Sequence, residues 1–134
     1  MSKTARKIIR IHDVVGKGYS KIWTCKSRYL LLKGGRASKK SKTIALRLIS
    51  NVMKYPGFNA LCIRAYYNTL KDSCYTELLW AIERLEVTHL FECTTSPLLI
   101  KYKPTGQVIL FKGLDKSESI TSITTKTGKI CHVW

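Results

Sequence analysis

Acidic residues are the scarcest component of this sequence. Eight Asp and Glu stand against 24 Lys and Arg, which gives a formal net charge of +16 in 134 residues. No acidic residue occurs between Asp13 and Asp72. In a compact fold so many Lys and Arg side chains repel one another, and they attract polyanions such as nucleic acid, nucleotides or anionic lipid. We therefore expect a polyanionic partner; the alternative is a solvated basic face that serves no specific ligand.

The sequence also lacks the patterns of membrane, secreted and zinc-binding proteins. No apolar run approaches the ~20 residues that span a bilayer, and the basic start is not followed by a signal-peptide core. The five cysteines form no CxxC pair and no Cys/His cluster with zinc-site spacing. These absences predict a cytoplasmic protein without membrane association, whose reduced cysteines lie mostly in the core.

The length and the apolar share of 45% fit one globular domain with a flanking segment. Residues 1–27 are basic and have no clear period, so we expect a partly ordered arm. Residues 28–134 alternate apolar segments with turns that contain Gly and Pro, which predicts the packed domain. The sequence has no internal repeat.

The order of apolar segments is typical of an α/β fold. Residues 28–33 predict a buried strand, residues 41–54 an amphipathic helix, and residues 59–64 a second strand. The later predictions are a helix capped by Thr69 and running to about Glu86, a strand at 89–93, a hairpin of residues 98–102 and 108–111, and a strand within 128–134. Alternation of strand, helix and strand favours a mostly parallel sheet, to which the antiparallel hairpin is added.

The segment between the first predicted strand and helix has the pattern of a phosphate-binding loop. The pattern is G-x-x-x-x-G-K-[ST], and Gly34 and Lys40-Ser41 occupy its first and last positions. Lys39 stands where the second Gly is expected. The candidate phosphate-binding residues are Gly34, Gly35, Arg36, Ala37, Ser38, Lys39, Lys40 and Ser41.

The chemistry of the loop predicts roles for its backbone and for three of its side chains. Backbone N–H groups and the helix N-terminus would face the phosphates of a nucleoside triphosphate. Lys40 would reach the β- and γ-phosphates, and Arg36 would contact the γ-phosphate as its charge develops, so both are predicted catalytic residues. The Ser41 hydroxyl is the predicted ligand of Mg²⁺.

Two features of this pattern leave alternatives open. The second Gly of the pattern normally permits a positive φ or a close backbone approach, which Lys39 can reach only at a cost. A shifted frame with Lys42-Thr43 places Arg36 and Ser41 at the two Gly positions and fits worse. A plain basic turn before an amphipathic helix is the other interpretation.

Arg64, at the end of the second predicted strand, is either a ligand-facing or a surface residue.

At this point the residues resemble a known family. The segment from Lys33 to Thr43 is similar to the phosphate-binding segment of large terminase subunits from tailed bacteriophages. Further similar segments follow in the family's order, and the resemblance covers about residues 28–134. They are Leu61–Arg64 with Asn68–Ser73, then Ser96–Leu98, Tyr102–Gln107 and Phe111–Asp115.

The resemblance implies a P-loop NTPase three-layer fold, incomplete at its C-terminus, in a viral DNA-packaging motor. Such a motor uses ATP and Mg²⁺ to drive double-stranded DNA into a procapsid, inside the bacterial host cell. Its implied partners are the small terminase subunit, the portal and further copies of the same subunit. Lys40, Ser41 and Arg36 match the family's loop residues.

The resemblance also implies what this chain lacks. The apolar strand that ends at Trp134 is similar to the strand that leads into the acidic Walker B pair, so we expect those carboxylates and the nuclease domain to lie beyond it. A fragment without them is expected to hydrolyse ATP very poorly. The alternatives are a non-catalytic basic DNA-binding protein and another P-loop NTPase, such as a helicase-like protein.

Overall fold

The computed structural model describes residues 9–10, 13–14, 16–36, 39–116 and 123–134. The strands are β1 (Phe58–Arg64), β2 (Phe91–Thr95), β3 (Leu98–Tyr102), β4 (Val108–Gly113) and β5 (Lys129–Val133). Helices of this part include α1 (Ser20–Thr24), α2 (Lys40–Lys54) and α3 (Thr76–Arg84). Shorter turns have 3₁₀ geometry at Lys17–Tyr19, Tyr67–Thr69, Thr88–Leu90 and Leu114–Lys116, and π geometry at Lys71–Tyr75.

The sheet has the strand order β2-β3-β4-β1-β5 and is mixed. β1 pairs in parallel with both β4 and β5, whereas β3 pairs antiparallel with β2 and β4. The short connections around β3 allow only antiparallel neighbours, because a parallel pair requires a long crossover. The predicted α/β class and hairpin are therefore confirmed. Two of the strand pairs are parallel and two are antiparallel. The prediction of a mostly parallel sheet is therefore wrong, and the sheet is mixed.

The predicted strand at residues 28–33 is wrong in this structure. The segment has no regular secondary structure, and the side chains of Tyr29 and Leu31 are 79% and 95% exposed. A strand requires a neighbour for its N–H and C=O groups, and this segment pairs with none of β1–β5. It instead borders a cleft beside β5, which Arg28 and Leu30 line together with Val133.

The described part of the predicted arm packs onto the domain. Tyr19 and Trp23 lie against the core. The guanidinium of Arg47, on α2, donates hydrogen bonds to the carbonyl oxygens of Ile22 (2.7 Å) and Cys25 (2.5 Å). These bonds satisfy carbonyl groups at the end of α1 that have no partner within the helix.

Helix α2 forms as predicted and begins one residue earlier. Its buried residues recur at helical spacing, so one face packs into the core. They are Thr43, Ala45, Leu46, Leu48, Ile49 and Val52. The buried Gln107 amide donates hydrogen bonds to the carbonyl oxygens of Val52 and Tyr55, both at 2.6 Å. The C-terminal end of α2 is thereby tied to the turn between β3 and β4.

The second helical region keeps its predicted extent but not its predicted cap. The Thr69 hydroxyl donates to the Tyr66 carbonyl oxygen (2.7 Å) instead of accepting a hydrogen bond at a helix N-terminus. The chain then passes through the π turn before α3 starts at Thr76. In that turn Cys74 and Tyr75 are buried, so this geometry fills the core near the carboxyl end of β1.

The core lies between the helices and one face of the sheet. Register places Ala60 beside Ile109 and Cys62 beside Phe111, and all four belong to one buried cluster with residues of α2 and α3. The prediction for the cysteines holds for Cys62 and Cys74. Cys25 is partly exposed, and Cys93 and Cys131, on the two edge strands, are exposed, so the prediction is wrong for these three.

The carboxyl ends of β1 and β4 are held together by a close backbone approach. An Asp115 carboxylate oxygen accepts a hydrogen bond from the Tyr67 backbone N–H (3.1 Å), and the Asp115 N–H donates to the Ala65 carbonyl (3.0 Å). A Cβ atom at Gly113 would lie 2.5 Å from the Tyr67 nitrogen. Only glycine fits there without moving the backbone.

Replacing Gln107 with Met should destabilise the fold. Met has a similar shape but cannot donate, so the Val52 and Tyr55 carbonyls lose their partner. We expect the free energy of unfolding, measured in urea, to fall by about 1–3 kcal/mol. Thr105→Ala, at an exposed position of the same turn, is the control and should change it little. Equal stability of both variants would contradict this role for Gln107.

The stability of the protein should fall on mild acidification because of His132. Burial, together with the positive charge of Arg47, lowers the pKa of His132 below its ordinary value of 6.5. Between these two pKa values the unfolded chain binds more protons than the folded protein does. The contribution of neutral His132 to the free energy of unfolding is therefore complete above pH 6.5 and is lost as the pH falls towards the lowered pKa.

The measurement is the urea unfolding free energy of wild type and His132→Phe between pH 7.5 and about pH 5.5, above the range where most carboxylates protonate. The His132→Phe variant should lose most of the pH dependence, and His89→Phe, at an exposed position, should keep it. An unchanged slope in His132→Phe would refute the assignment.

Candidate phosphate-binding site

The predicted loop lies at the carboxyl edge of the parallel strands. A turn of three residues, Tyr55–Gly57, connects α2 to β1, so the two elements run in opposite directions. The N-terminus of α2 therefore lies towards the carboxyl end of β1, and the helical region that follows β1 starts at the same edge. In open α/β sheets this edge is where ligands bind.

The loop residues gather around one cleft of about 370 Å³. Its lining consists of Gly35, Arg36, Lys39, Lys40, Ser41, Lys42 and Glu77. The structure therefore brings most of the predicted site residues together. Gly34 adjoins the cleft through a hydrogen bond to Lys40, and the predictions for Ala37 and Ser38 fall outside the described residues.

Lys40 holds the loop around the start of α2. Its ammonium group donates hydrogen bonds to the carbonyl oxygens of Gly34 (2.7 Å) and Gly35 (2.9 Å). Lys40 is the first residue of the helix, and Ser41, the second, is exposed at the cleft. An ammonium group, a hydroxyl group and a helix N-terminus thus meet in one place, which is a combination suited to an anion.

Lys39 has the backbone conformation that the pattern reserves for glycine. Its φ is 60° and its ψ is 18°, in the left-handed region. Its carbonyl oxygen accepts hydrogen bonds from the Thr43 backbone N–H (2.9 Å) and hydroxyl (2.7 Å), so Lys39 is the N-cap of α2. A residue with a Cβ atom pays about 1–2 kcal/mol for this conformation. Lys39 therefore adopts the conformation expected of the second Gly, and its Cβ atom makes that conformation strained.

The structure also disfavours the shifted frame of the pattern. The Thr43 side chain is buried, and its hydroxyl is used by the Lys39 carbonyl. The Lys42 ammonium points towards α3, where it forms an ion pair. Ser41 is thus the hydroxyl residue that faces the cleft.

Glu77 and Trp80, both on α3, are site neighbours that sequence reasoning missed. The Lys42 ammonium lies 3.0 Å from a Glu77 carboxylate oxygen and 4.1 Å from the centre of the Trp80 ring. Among the described residues that line the cleft, Glu77 is the acidic one. A contact across 35 positions of sequence leaves no local pattern. The predicted helix starts at Thr69, so Glu77 lies in its interior, and only the observed start of α3 at Thr76 places Glu77 in a first turn.

Three further observations bear on the sequence expectations for Arg64, for metal binding and for the membrane. Arg64 is exposed at the end of β1, on the same edge of the sheet, but does not line the cleft. Among the described residues, His, Cys, Asp and Glu form no cluster of three that could hold a metal ion. None of the helices in the described part of the chain has the length and apolar character required to cross a bilayer.

Relief of the strain at Lys39 should stabilise the protein. In Lys39→Gly the left-handed conformation becomes unstrained, which outweighs the extra flexibility of Gly in the unfolded chain, about 0.5–1 kcal/mol. Lys39→Ala is the matched control, because it removes the same charge and keeps the Cβ atom. Urea unfolding should show Lys39→Gly more stable than Lys39→Ala by roughly 0.5–1 kcal/mol. The reverse order would show that Lys39 is not strained.

Comparison with known proteins identifies the family of this chain. Residues 26–134 match the model of a family described as phage terminase large subunit. The chain is 36% identical over 132 residues to the terminase large subunit of Bacillus phage SPP1, and this alignment covers 96% of the chain. It is 30% identical over 102 residues, or 76% of its length, to the PBSX phage terminase large subunit of Bacillus subtilis (strain 168).

The chain spans only part of these relatives, 31% of the SPP1 protein and 23% of the PBSX protein. The matched region includes the whole described cleft, from Gly35 to Glu77. On the extent of the family match and on these identities, the chain belongs to the phage terminase large subunit family.

Proposed function

We propose that this chain is the ATP-binding portion of a phage DNA-packaging motor. The observation that carries the proposal is the cleft at the N-terminus of α2, where Arg36, Lys40 and Ser41 converge in a member of the terminase large subunit family. In the full-length protein, binding and hydrolysis of ATP would be coupled to translocation of double-stranded DNA into a procapsid, in the cytoplasm of the bacterial host.

The residues of the cleft would bind ATP through its phosphates. The N-terminus of α2 would face the phosphates, where its partial positive charge favours an anion and the backbone N–H groups of Ser41 and Lys42 would donate to phosphate oxygens. The Lys40 ammonium would exchange the carbonyl groups of Gly34 and Gly35 for the β- and γ-phosphates, because a charged acceptor forms the stronger hydrogen bond. Arg36 is exposed beside it and would pair with the γ-phosphate.

The fit of the site to Mg²⁺ rests on Ser41. Its exposed hydroxyl is a hard oxygen donor of the kind that Mg²⁺ prefers, with phosphate oxygens and water completing the ligands. The bound ion would neutralise charge on the phosphate groups. Glu77, the cleft's carboxylate, is engaged by Lys42. We therefore assign nucleotide binding to this chain's own residues, and hydrolysis to the longer protein.

The partners follow from the same proposal. The net charge of +16 favours contact with double-stranded DNA. The small terminase subunit, the portal and further copies of the same subunit are the proposed protein partners. The charge alone also supports the competing function, a basic DNA-binding protein without a nucleotide. That protein would bind DNA with a steep salt dependence and no response to ATP.

Lys40→Ala should abolish most of the nucleotide binding. Loss of one charge-assisted hydrogen-bonding group, roughly 1.5–3 kcal/mol, predicts an affinity for Mg-ATP about 10- to 100-fold lower by isothermal titration calorimetry. Lys54→Ala is the control, since Lys54 is exposed at the far end of the same helix and loses the same charge. If wild type and Lys40→Ala bind Mg-ATP equally, the proposed function is wrong and the basic DNA-binding protein is favoured.

A further inference from the structure

The ion pair between α2 and α3 lies at the wall of the phosphate-binding cleft. Lys42 is the third residue of α2, and no acidic residue occurs in the first turn of that helix. A Lys at this position is unfavourable for the helix dipole, and the compensating carboxylate comes from Glu77 of α3 at 3.0 Å. The ring of Trp80 covers the same ammonium group at 4.1 Å.

This arrangement keeps the Lys42 ammonium group next to the proposed phosphate position. Both Lys42 and Glu77 line the cleft together with Lys40 and Ser41. The pair is partly exposed, with side-chain exposures of 39% for Lys42 and 29% for Glu77. A partly exposed ion pair is weak and is readily exchanged for a better acceptor. A polyphosphate provides several such acceptors with more charge than one carboxylate.

We propose that Lys42 is a further phosphate-binding residue, which Glu77 and Trp80 hold against α3 until the polyphosphate of a nucleotide enters the cleft. Glu77 is then a positioning residue that competes with phosphate for Lys42. Binding breaks the Lys42–Glu77 contact and so couples occupancy of the cleft to the contact between α2 and α3. This inference rests on the proposed nucleotide binding. It adds Lys42 as a residue that binds phosphate and Glu77 as a carboxylate that competes with phosphate for Lys42.

The test is a double-mutant cycle on the whole chain, with Mg-ATP as the probe in calorimetric titrations. Lys42→Gln should weaken binding about three- to tenfold, and Glu77→Gln should tighten it by about the same factor. In the Lys42→Gln background, Glu77→Gln should have no further effect, because Glu77 acts through Lys42. Glu83→Gln, an exposed position on α3, controls for the general loss of one negative charge and should change affinity less than about twofold.

A second readout follows the Lys42 ammonium directly. The indole N–H signal of Trp80 in nuclear magnetic resonance spectra, assigned with Trp80→Phe, should shift when Mg-ATP is added to wild type. It should shift far less in Lys42→Gln, which has no ammonium group to leave the ring. Thermal melts of all variants show whether they remain folded.

Three outcomes would overturn the inference. If Glu77→Gln tightens binding equally with and without Lys42, Glu77 repels phosphate directly and the two side chains do not exchange. If Glu77→Gln weakens binding and lowers the melting temperature, the bridge only stabilises the fold. A Trp80 signal that does not respond to Mg-ATP also excludes the exchange. Failure of the proposed function is distinct: there, Lys40→Ala and wild type bind Mg-ATP alike.

Discussion

The position of α2 is the constraint on which the candidate site depends. Its buried face packs into the core beside β1, and each of its ends is held by a side chain from another element. Gln107 binds the carbonyl groups at its C-terminal end, and Glu77 pairs with Lys42 at its N-terminal end. Because the loop is continuous with the first turn of α2, movement of this helix would move Lys40 and Ser41 relative to the rest of the cleft.

The segments that resemble the terminase family divide into one that faces the cleft and others that support it. Gln107 anchors α2, Gly113 permits the close approach of Tyr67, and Asp115 accepts the Tyr67 N–H. The Tyr67 hydroxyl in turn accepts a hydrogen bond from the Leu98 N–H (3.4 Å). These contacts hold the carboxyl ends of β1 and β4 together and tie the C-terminal end of α2 to the sheet.

Positive charge and a strained backbone conformation occur together at the cleft. The described lining of the cleft contains four cationic side chains and one carboxylate, and Lys39 has a left-handed backbone there. Both features oppose folding in the absence of a ligand, since like charges repel and the left-handed region is unfavourable for Lys. Such features persist where the surrounding structure enforces them, and they mark functional sites more often than surface loops. An anionic ligand at the cleft would relieve the charge repulsion.

The sequence by itself determined the α/β order, helix α2, the hairpin, the position of the loop and the family, because helical period, turn residues and loop spacing are local properties. Only the tertiary structure decided that residues 28–33 form no strand, that the sheet is mixed and that Thr69 caps no helix. It also placed Glu77 and Trp80 beside Lys42 and gave Lys39 its positive φ. These features depend on hydrogen-bonding and charged partners that are distant in sequence, and no local pattern records which partners will meet.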